Sequence, residues 1–553
     1  MKIQNYKIYG LVLLLLVTFT NCEDLDYDET SFNEKEDIFS DFARQKSFLT
    51  GIYAYLPTDF NSVDGAMRAA ACDEAEHVSD LSDIQKFNNG TWSAAQPLDN
   101  VWNTMYAGIR ASNLFLKESE GQEFIEQFYN DNYKDIILQY KNYPYETRFL
   151  RAFFYFELAK RYKNIPLITT VLTPEEAVNI QQNSFEEVIN FIVSECDQVA
   201  AVLPANYANF ASVKEVGRAT KGAALALKAR ALLYAASPLH NAGNDLVLWQ
   251  KAASAAKAVI DLNAYALPSS YSTIVNNNAS SELIFGRREG VSNGFEKRNF
   301  PIGYEGGNTG TCPTQNLVDS YEMRTNGLPI TDPASRYNPL LPYSGRDSRL
   351  AQTVILNGLS WKGVPVESFY GGKNGLPIIN ATKTGYYLKK YVIESINLLP
   401  GNTTTKEHTW VLFRYGEILL NYAEAMNEAY GPEVAPPTPG MTALQAVNFV
   451  RARAGITRFS AGLSQDAFRT KLRNERRVEL AFEDHRFWDV RRWKIGNQTK
   501  DIYRMDLTRN ANLSINYEIK LLESRTFDER MNLYPIPQSE IFKNKNLIQN
   551  TGW

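Results

Sequence analysis

Gly217 to Ala236 reads GRATKGAALALKARALLYAA, with eight alanines in twenty residues. Alanine carries the highest helix propensity, and a face of such small side chains lets neighbouring helices approach closely. Ser237-Pro238 ends the run, because proline cannot continue a helix. The segment predicts a helix packed between other helices. Working outward, Thr147 to Tyr162 (TRFLRAFFYFELAKRY) is apolar on nearly every side and stops before Pro166, the pattern of a helix deep in a core. Ser184-Phe185-Glu186-Glu187 is a capping box, and the apolar stripe Val188, Ile189, Ile192, Val193, Cys196, Val199 follows it at helical spacing. Leu248 to Ile260 predicts another helix, as do Leu412 to Tyr430, closed by Gly431-Pro432, and Thr442 to Ala454, closed by Gly455. A further one runs over Ser464 to Phe482. Paired helices with short connections indicate tetratricopeptide-like packing without a visible 34-residue repeat.

Between Ala264 and Trp410 the texture changes. This stretch holds 16 of the 32 glycines, so it reads as loops and short strands, with Leu283-Ile284-Phe285 and Tyr386-Tyr387-Leu388 as strand candidates. The expected fold is mostly α, a helical-pair scaffold from residue 40 to 553 carrying a loop-rich insertion over 264–410.

The N-terminus reads differently. Lys2 and Lys7 precede about a dozen mostly apolar residues, too few to span a ~30 Å hydrocarbon core and suited to a secretory signal over 1–21. Cys22 follows, where a bacterial lipoprotein signal ends, although Asn21 replaces the small residue usual before it. Residues 22–39 begin CEDLDYDE and read as an acidic tether.

Charge and motif content narrow the function. With net charge −4 and pI about 5.9, no basic footprint supports nucleic-acid binding. Cys72, Cys196 and Cys312 are far apart and form no CxxC spacing. The four histidines, His77, His240, His408 and His485, make no metal motif, and no GxSxG, SxxK, phosphate loop or dinucleotide turn is present. The sequence therefore points to no cofactor and offers no visible anchor for enzyme chemistry. In Leu472 to Trp493 (LRNERRVELAFEDHRFWDVRRW), Glu475, Glu479 and Glu483 recur every four residues. This predicts structural ion pairs, such as Arg476 with Glu479 and Glu483 with Arg486 one turn apart.

The whole chain resembles the RagB/SusD family of surface nutrient-binding lipoproteins. The resemblance rests, in order, on the Cys22 signal, Gln45–Leu56, Val101–Asn113, Glu146–Pro166, Gly217–Pro238, Phe413–Ala429, Glu475–Trp493 and Leu533–Trp553. Asp484 stands where the family more often has glycine. The resemblance implies an outer-membrane lipid anchor at Cys22 and an extracellular-facing body. It also implies capture of oligosaccharide or polysaccharide without cleavage, and delivery to a TonB-dependent, SusC-like barrel. A surface glycan hydrolase or a protein-interaction scaffold is the alternative.

A glycan receptor needs exposed aromatic platforms for the C–H face of the sugar, beside carboxylate, amide or guanidinium groups for its hydroxyls. Trp92, in the polar turn NNGTW, is the expected platform. Arg68, Asp73, Glu74 and His77 are its expected polar neighbours, and Tyr304, Trp361 and Tyr370, beside glycines, are the contribution expected from the insertion.

Overall fold

The Ala-rich segment forms a helix because Thr220 caps it, its side-chain oxygen accepting from the Ala223 amide, and because nothing β-branched interrupts it. A computed structural model describes residues 35–124, 127–207, 216–437 and 440–553; Cys22 and most of the expected tether lie outside them. We label the principal helices α1 (Phe42–Tyr53), α2 (Trp102–Glu118), α3 (Tyr133–Tyr162), α4 (Phe185–Val202), α5 (Lys221–Ala236) and α6 (Leu246–Ile260). After the insertion come α7 (Tyr415–Tyr430), α8 (Ala443–Ala454), α9 (Gln465–Glu479) and α10 (Arg486–Arg492). From α2 to α8 successive helices pack on one another: α2 on α3, α3 on α4, α4 on α5, α5 on α6, α6 on α7, and α7 on α8 as well as on α9. The fold is mostly α, as the sequence predicts.

Small residues make the close approach possible. A Cβ at Gly222 would collide with the Tyr265 hydroxyl, so α5 requires glycine where residue 265 crosses it. One charge is buried on the same helix. Arg230 donates to both carboxylate oxygens of Glu417 on α7, at 2.7 and 2.6 Å, with its guanidinium 4.1 Å from the Phe413 ring centroid.

Local signals set several boundaries where expected. Ser184 with Glu187 and Thr442 with Gln445 form capping boxes, and Gly455 closes α8 at φ 67°. Elsewhere tertiary context prevails. Leu412 to Arg414 belong to a strand, not a helix. Helix α3 begins at Tyr133, passing through Pro144, because burial along its length outweighs the hydrogen bond that proline removes. Lys35–Ser40, of which residues 35–39 were expected as tether, is helical, with Phe39 buried and its ring 5.3 Å from that of Phe48.

The strands pair in twos, all antiparallel. In chain order they are β1 (Ala75–His77), β2 (Leu283–Ser292), β3 (Thr311–Pro313), β4 (Val354–Ile355), β5 (Ser360–Trp361), β6 (Val364–Pro365), β7 (Tyr387–Leu388), β8 (Lys406–Arg414), β9 (Asp501–Arg509) and β10 (Ile515–Ser524). Strand β1 pairs with β3, β2 with β8, and β4 with β7; β5–β6 and β9–β10 are hairpins. A small apolar cluster inside the insertion (Phe300, Ile355, Trp361, Val366, Tyr387, Ile396 and Leu398) joins the main core through Leu359 and Val392, which pack against both.

The glutamates of the α9 segment are buried ion-pair partners, but not of their helix neighbours. Arg414 donates to Glu282 at 2.5 Å, to Glu479 at 2.8 Å and to Glu483 at 2.6 Å. Arg349 reaches Glu475 at 2.6 Å and Glu479 at 2.8 Å, and Lys390 reaches Glu483 at 2.6 Å. Neighbouring arginines hold Glu479 well below the usual carboxylate range against the opposing cost of burial. The expected one-turn pairs are absent because Arg476 binds Asp489 at 2.7 Å and Arg486 binds Asp73.

Trp92 is also core. It is 2% exposed, with ring centroids 4.4 Å from Trp553, 4.8 Å from Phe87 and 5.2 Å from Tyr534. Gly90 at φ 75° ends a short helix and turns the chain inward, so the polar turn delivers its tryptophan to the interior.

Two outcomes follow from this packing. Arg414→Met removes the cation shared by three buried carboxylates and should destabilise the fold by about 3–5 kcal/mol, read as a lower urea midpoint. Trp92→Ala should cost about 3–5 kcal/mol, read as a lower melting temperature. Unchanged melting would place Trp92 on the surface instead.

Candidate functional site

Of the eight residues expected to bind ligand, only Tyr370 stands well clear of the body, at 65% exposure. Its backbone N–H donates to the Leu507 carbonyl at 2.8 Å, and the Met505 N–H donates to the Thr384 carbonyl at 2.9 Å. The loop of residues 366–385 is thereby laced to β9. Gly385, at φ 88°, lets the two backbones touch, since a Cβ there would lie 2.5 Å from the Met505 carbonyl oxygen.

Between loop and strand lies a pocket of about 300 Å³. Tyr370, Ser368, Thr382 and Lys383 line it from the insertion, and Arg504, Asp506 and Thr508 from β9. Arg504 Nε is 2.9 Å from Asp506 Oδ1, and Lys520 on β10 is 3.0 Å from Oδ2 of the same carboxylate. Lys383 pairs with Asp80 and donates to the His77 carbonyl at 3.1 Å. Ser368 is 7% exposed and its hydroxyl has no hydrogen-bond partner. A ring with an apolar face and a hydroxyl rim matches this set: one exposed aromatic, an unused hydroxyl, and fixed donors and acceptors of both signs. Among the described residues, no three of His, Cys, Asp or Glu are grouped to hold a metal ion.

The other expected residues serve the interior. Arg68 donates to Asp484 at 2.8 and 3.0 Å and to Asp99 at 3.0 Å. Asp484 takes φ 61°, the left-handed region where glycine is at ease, and also accepts from Trp488 Nε1 at 3.1 Å. Asp73 accepts two bonds of 2.8 Å from Arg486. Although burial raises the Asp73 pKa, Arg477 and Arg486 outweigh it and bring the carboxyl well below its usual range. Glu74 is 1% exposed and burial pushes it up to about 8. His77 is buried, and desolvation lowers its pKa, which favours the neutral ring. Its backbone, not its imidazole, reaches the site, through Lys383. Trp361 is 1% exposed inside the small cluster, 5.7 Å from Phe300. Tyr304 is half-buried against that cluster, its hydroxyl donating to the Val364 carbonyl at 3.0 Å. Enclosed and paired within the interior, Trp92, Arg68, Asp73, Glu74 and Trp361 do not line the Tyr370 pocket, and at that pocket they are corrected to structural roles.

Sequence reasoning passed over Ser368, Thr382, Lys383, Arg504, Asp506 and Thr508. A signal existed for three of them: Arg504, Asp506 and Thr508 recur every second residue, placing them on one face of a strand.

The chain matches the model of the "SusD family" over residues 275–553, just over half its length. It matches a second model, described as "Starch-binding associating with outer membrane", over residues 27–233. It is 24% identical to SusD-like protein P25 of Formosa agariphila, over 100% of this chain and 98% of that one. Among solved structures, a SusD-like protein of Bacteroides fragilis superposes with a TM-score of 0.78 at 28% identity, covering 94% of this chain and 99% of its own. A SusD-like carbohydrate binding protein of the same species superposes with a TM-score of 0.72 at 26% identity, covering 92% and 100%. With a helical-pair scaffold, a loop-rich insertion and a family match spanning most of the insertion and all the helices after it, this chain belongs to the SusD family.

Proposed function

We propose that this protein captures oligosaccharide or polysaccharide at the outer cell surface, without cleaving it, in the pocket beneath Tyr370. The observation that carries the reading is the pocket itself: an exposed tyrosine beside an unpartnered buried serine, flanked by Lys383, Arg504 and Asp506. The carbohydrate-binding relative and the starch-binding family description support a glycan as the ligand class.

Anchoring and delivery complete the proposal. Cys22 carries lipid, and more than one acyl chain is needed for stable membrane residence. Among the described residues, no helix is long and apolar enough to cross a membrane. The captured glycan passes to a spanning partner, for which a TonB-dependent, SusC-like barrel is the candidate, with this protein closing over its mouth as a lid.

The binding reading is tested by native electrophoresis in gels containing soluble starch, laminarin, xylan or mannan, with a parallel assay for reducing ends. Wild-type protein is retarded by at least one polysaccharide and generates no new ends. Tyr370→Ala weakens that retention by about 1–3 kcal/mol, the size of one aromatic stacking contact, with melting unchanged. New reducing ends would make it a hydrolase, and full retention by Tyr370→Ala would move the site elsewhere. For anchoring, Cys22→Ala should appear in the soluble fraction, while wild-type protein extracted in mild detergent should bring a large barrel protein with it. Membrane retention of the variant, or repeated recovery of the wild type alone, would count against this arrangement.

A further inference from the structure

The pocket beneath Tyr370 has a neighbour across a single loop. Residues 79–83 are pinned on one side by Lys383, a lining residue of that pocket, through Asp80. On the other side they are pinned by Asp64, whose carboxylate accepts from the Asp83 N–H at 2.9 Å and whose carbonyl accepts from the Ser82 hydroxyl at 3.0 Å. Asp64 and Asp83 belong to the wall of a second cavity, of about 420 Å³, between the end of α1 and the start of α2. From Asp80 to Asp83 the chain spans at most about 11 Å. Leu81, at the crest, is 93% exposed.

The chemistry of the second cavity resembles that of the first. Tyr55 supplies a half-buried ring whose edge meets Phe154, with centroids 6.3 Å apart. The charged lining is balanced: Asp64, Asp83 and Asp99 against Arg68, Arg161 and Arg287. These charges are held in place, Arg161 donating to Asp99 at 2.9 Å and Arg287 to the Leu56 carbonyl. Three acids against three arginines leave no excess field for a phosphate or sulfate. Arg68 and Arg161 are both bonded to Asp99 and all three are nearly enclosed, so Asp64, Asp83 and Arg287 are the charged groups the wall offers as acceptors and donors. Such a cavity suits a neutral polyhydroxylated ring. An apolar residue on the crest between two such cavities suits the C–H face of a sugar crossing it.

We infer that the second cavity is a further glycan subsite, and that the ligand is a chain of several neutral sugars recognised along its length across the 79–83 loop. The inference rests on the reading that the Tyr370 pocket holds a sugar. A short oligosaccharide fills one pocket only. A longer one reaches both and binds more tightly by the second set of contacts, since the second engagement is intramolecular.

The test is isothermal titration with the polysaccharide that most retards the wild-type protein and its size-fractionated oligosaccharides, from the disaccharide upward. Two substitutions perturb the second cavity and the crest without touching the core. Thr104→Trp fills the cavity from an exposed position on α2, and Leu81→Asp puts a charge on the crest. Wild-type affinity should climb with length in two stages. Each variant should lose about tenfold for long chains, bind the shortest as wild type does, and melt as wild type does. Wild-type affinity of both variants at every length would overturn the second subsite. Loss of binding in Tyr370→Ala alongside that result would leave the first pocket standing. Undiminished binding by Tyr370→Ala, or no binding of the panel by wild-type protein, would remove the first pocket and the inference with it.

Discussion

Glu479 is the group on which the two halves of the molecule depend. It sits at the end of α9, fully buried, and accepts from Arg349 in the insertion, Arg414 at the end of β8 and Arg453 on α8. Removing so many charges from water costs several kcal/mol per ion, and excellent geometry must offset it. The compensation comes from arrangement: Arg414 spans Glu282, Glu479 and Glu483, while Arg451 joins Glu475 to Glu322. These bonds connect the insertion, the β2–β8 ladder and the last helices. A shift of the insertion relative to the helices would leave several charges without partners, so the lattice holds that docking to one arrangement.

The candidate site is downstream of this docking. Its walls come from residues 366–385 on one side and from the β9–β10 hairpin on the other, and neither segment forms a pocket alone. The small cluster around Trp361 supports the first wall. Met505 and Leu507, buried beneath the second, support β9. Pocket shape is therefore set by how the insertion lies on the C-terminal region, which the buried charges decide.

This ordering explains what was legible in the sequence. Helix starts at Ser184 and Thr442 and the stop at Gly455 were readable, because capping needs only residues within one turn. The Ala-rich α5 was readable from composition. Leu412 to Arg414 misled because a short apolar run suits strand and helix equally, and only β2, more than a hundred residues away, makes it a strand. The site suffered most. Asp73 and Glu74 look like ligand groups in a polar stretch until Arg477 and Arg486 arrive from the far end of the chain. Trp92 looks exposed in its turn until Trp553, the last residue, closes over it. Tyr370 is exposed as expected, because the glycines on its C-terminal side do mark an exposed loop.

Asp484 and Arg68 carry one more consequence. The backbone at 484 is left-handed, so glycine would sit there with less strain than aspartate. Yet the aspartate carboxylate grips a buried guanidinium 416 positions away in the chain. Glycine at 484 would ease the backbone and take away the bidentate partner of Arg68, leaving that cation to Asp59 and Asp99. The two positions form a compensated pair: exchange at either carries a penalty that a matched exchange at the other can relieve. Across the family, residue types at these two sites should drift together, and a substitution transplanted from a glycine-bearing relative should be tolerated here only when its distant counterpart travels with it.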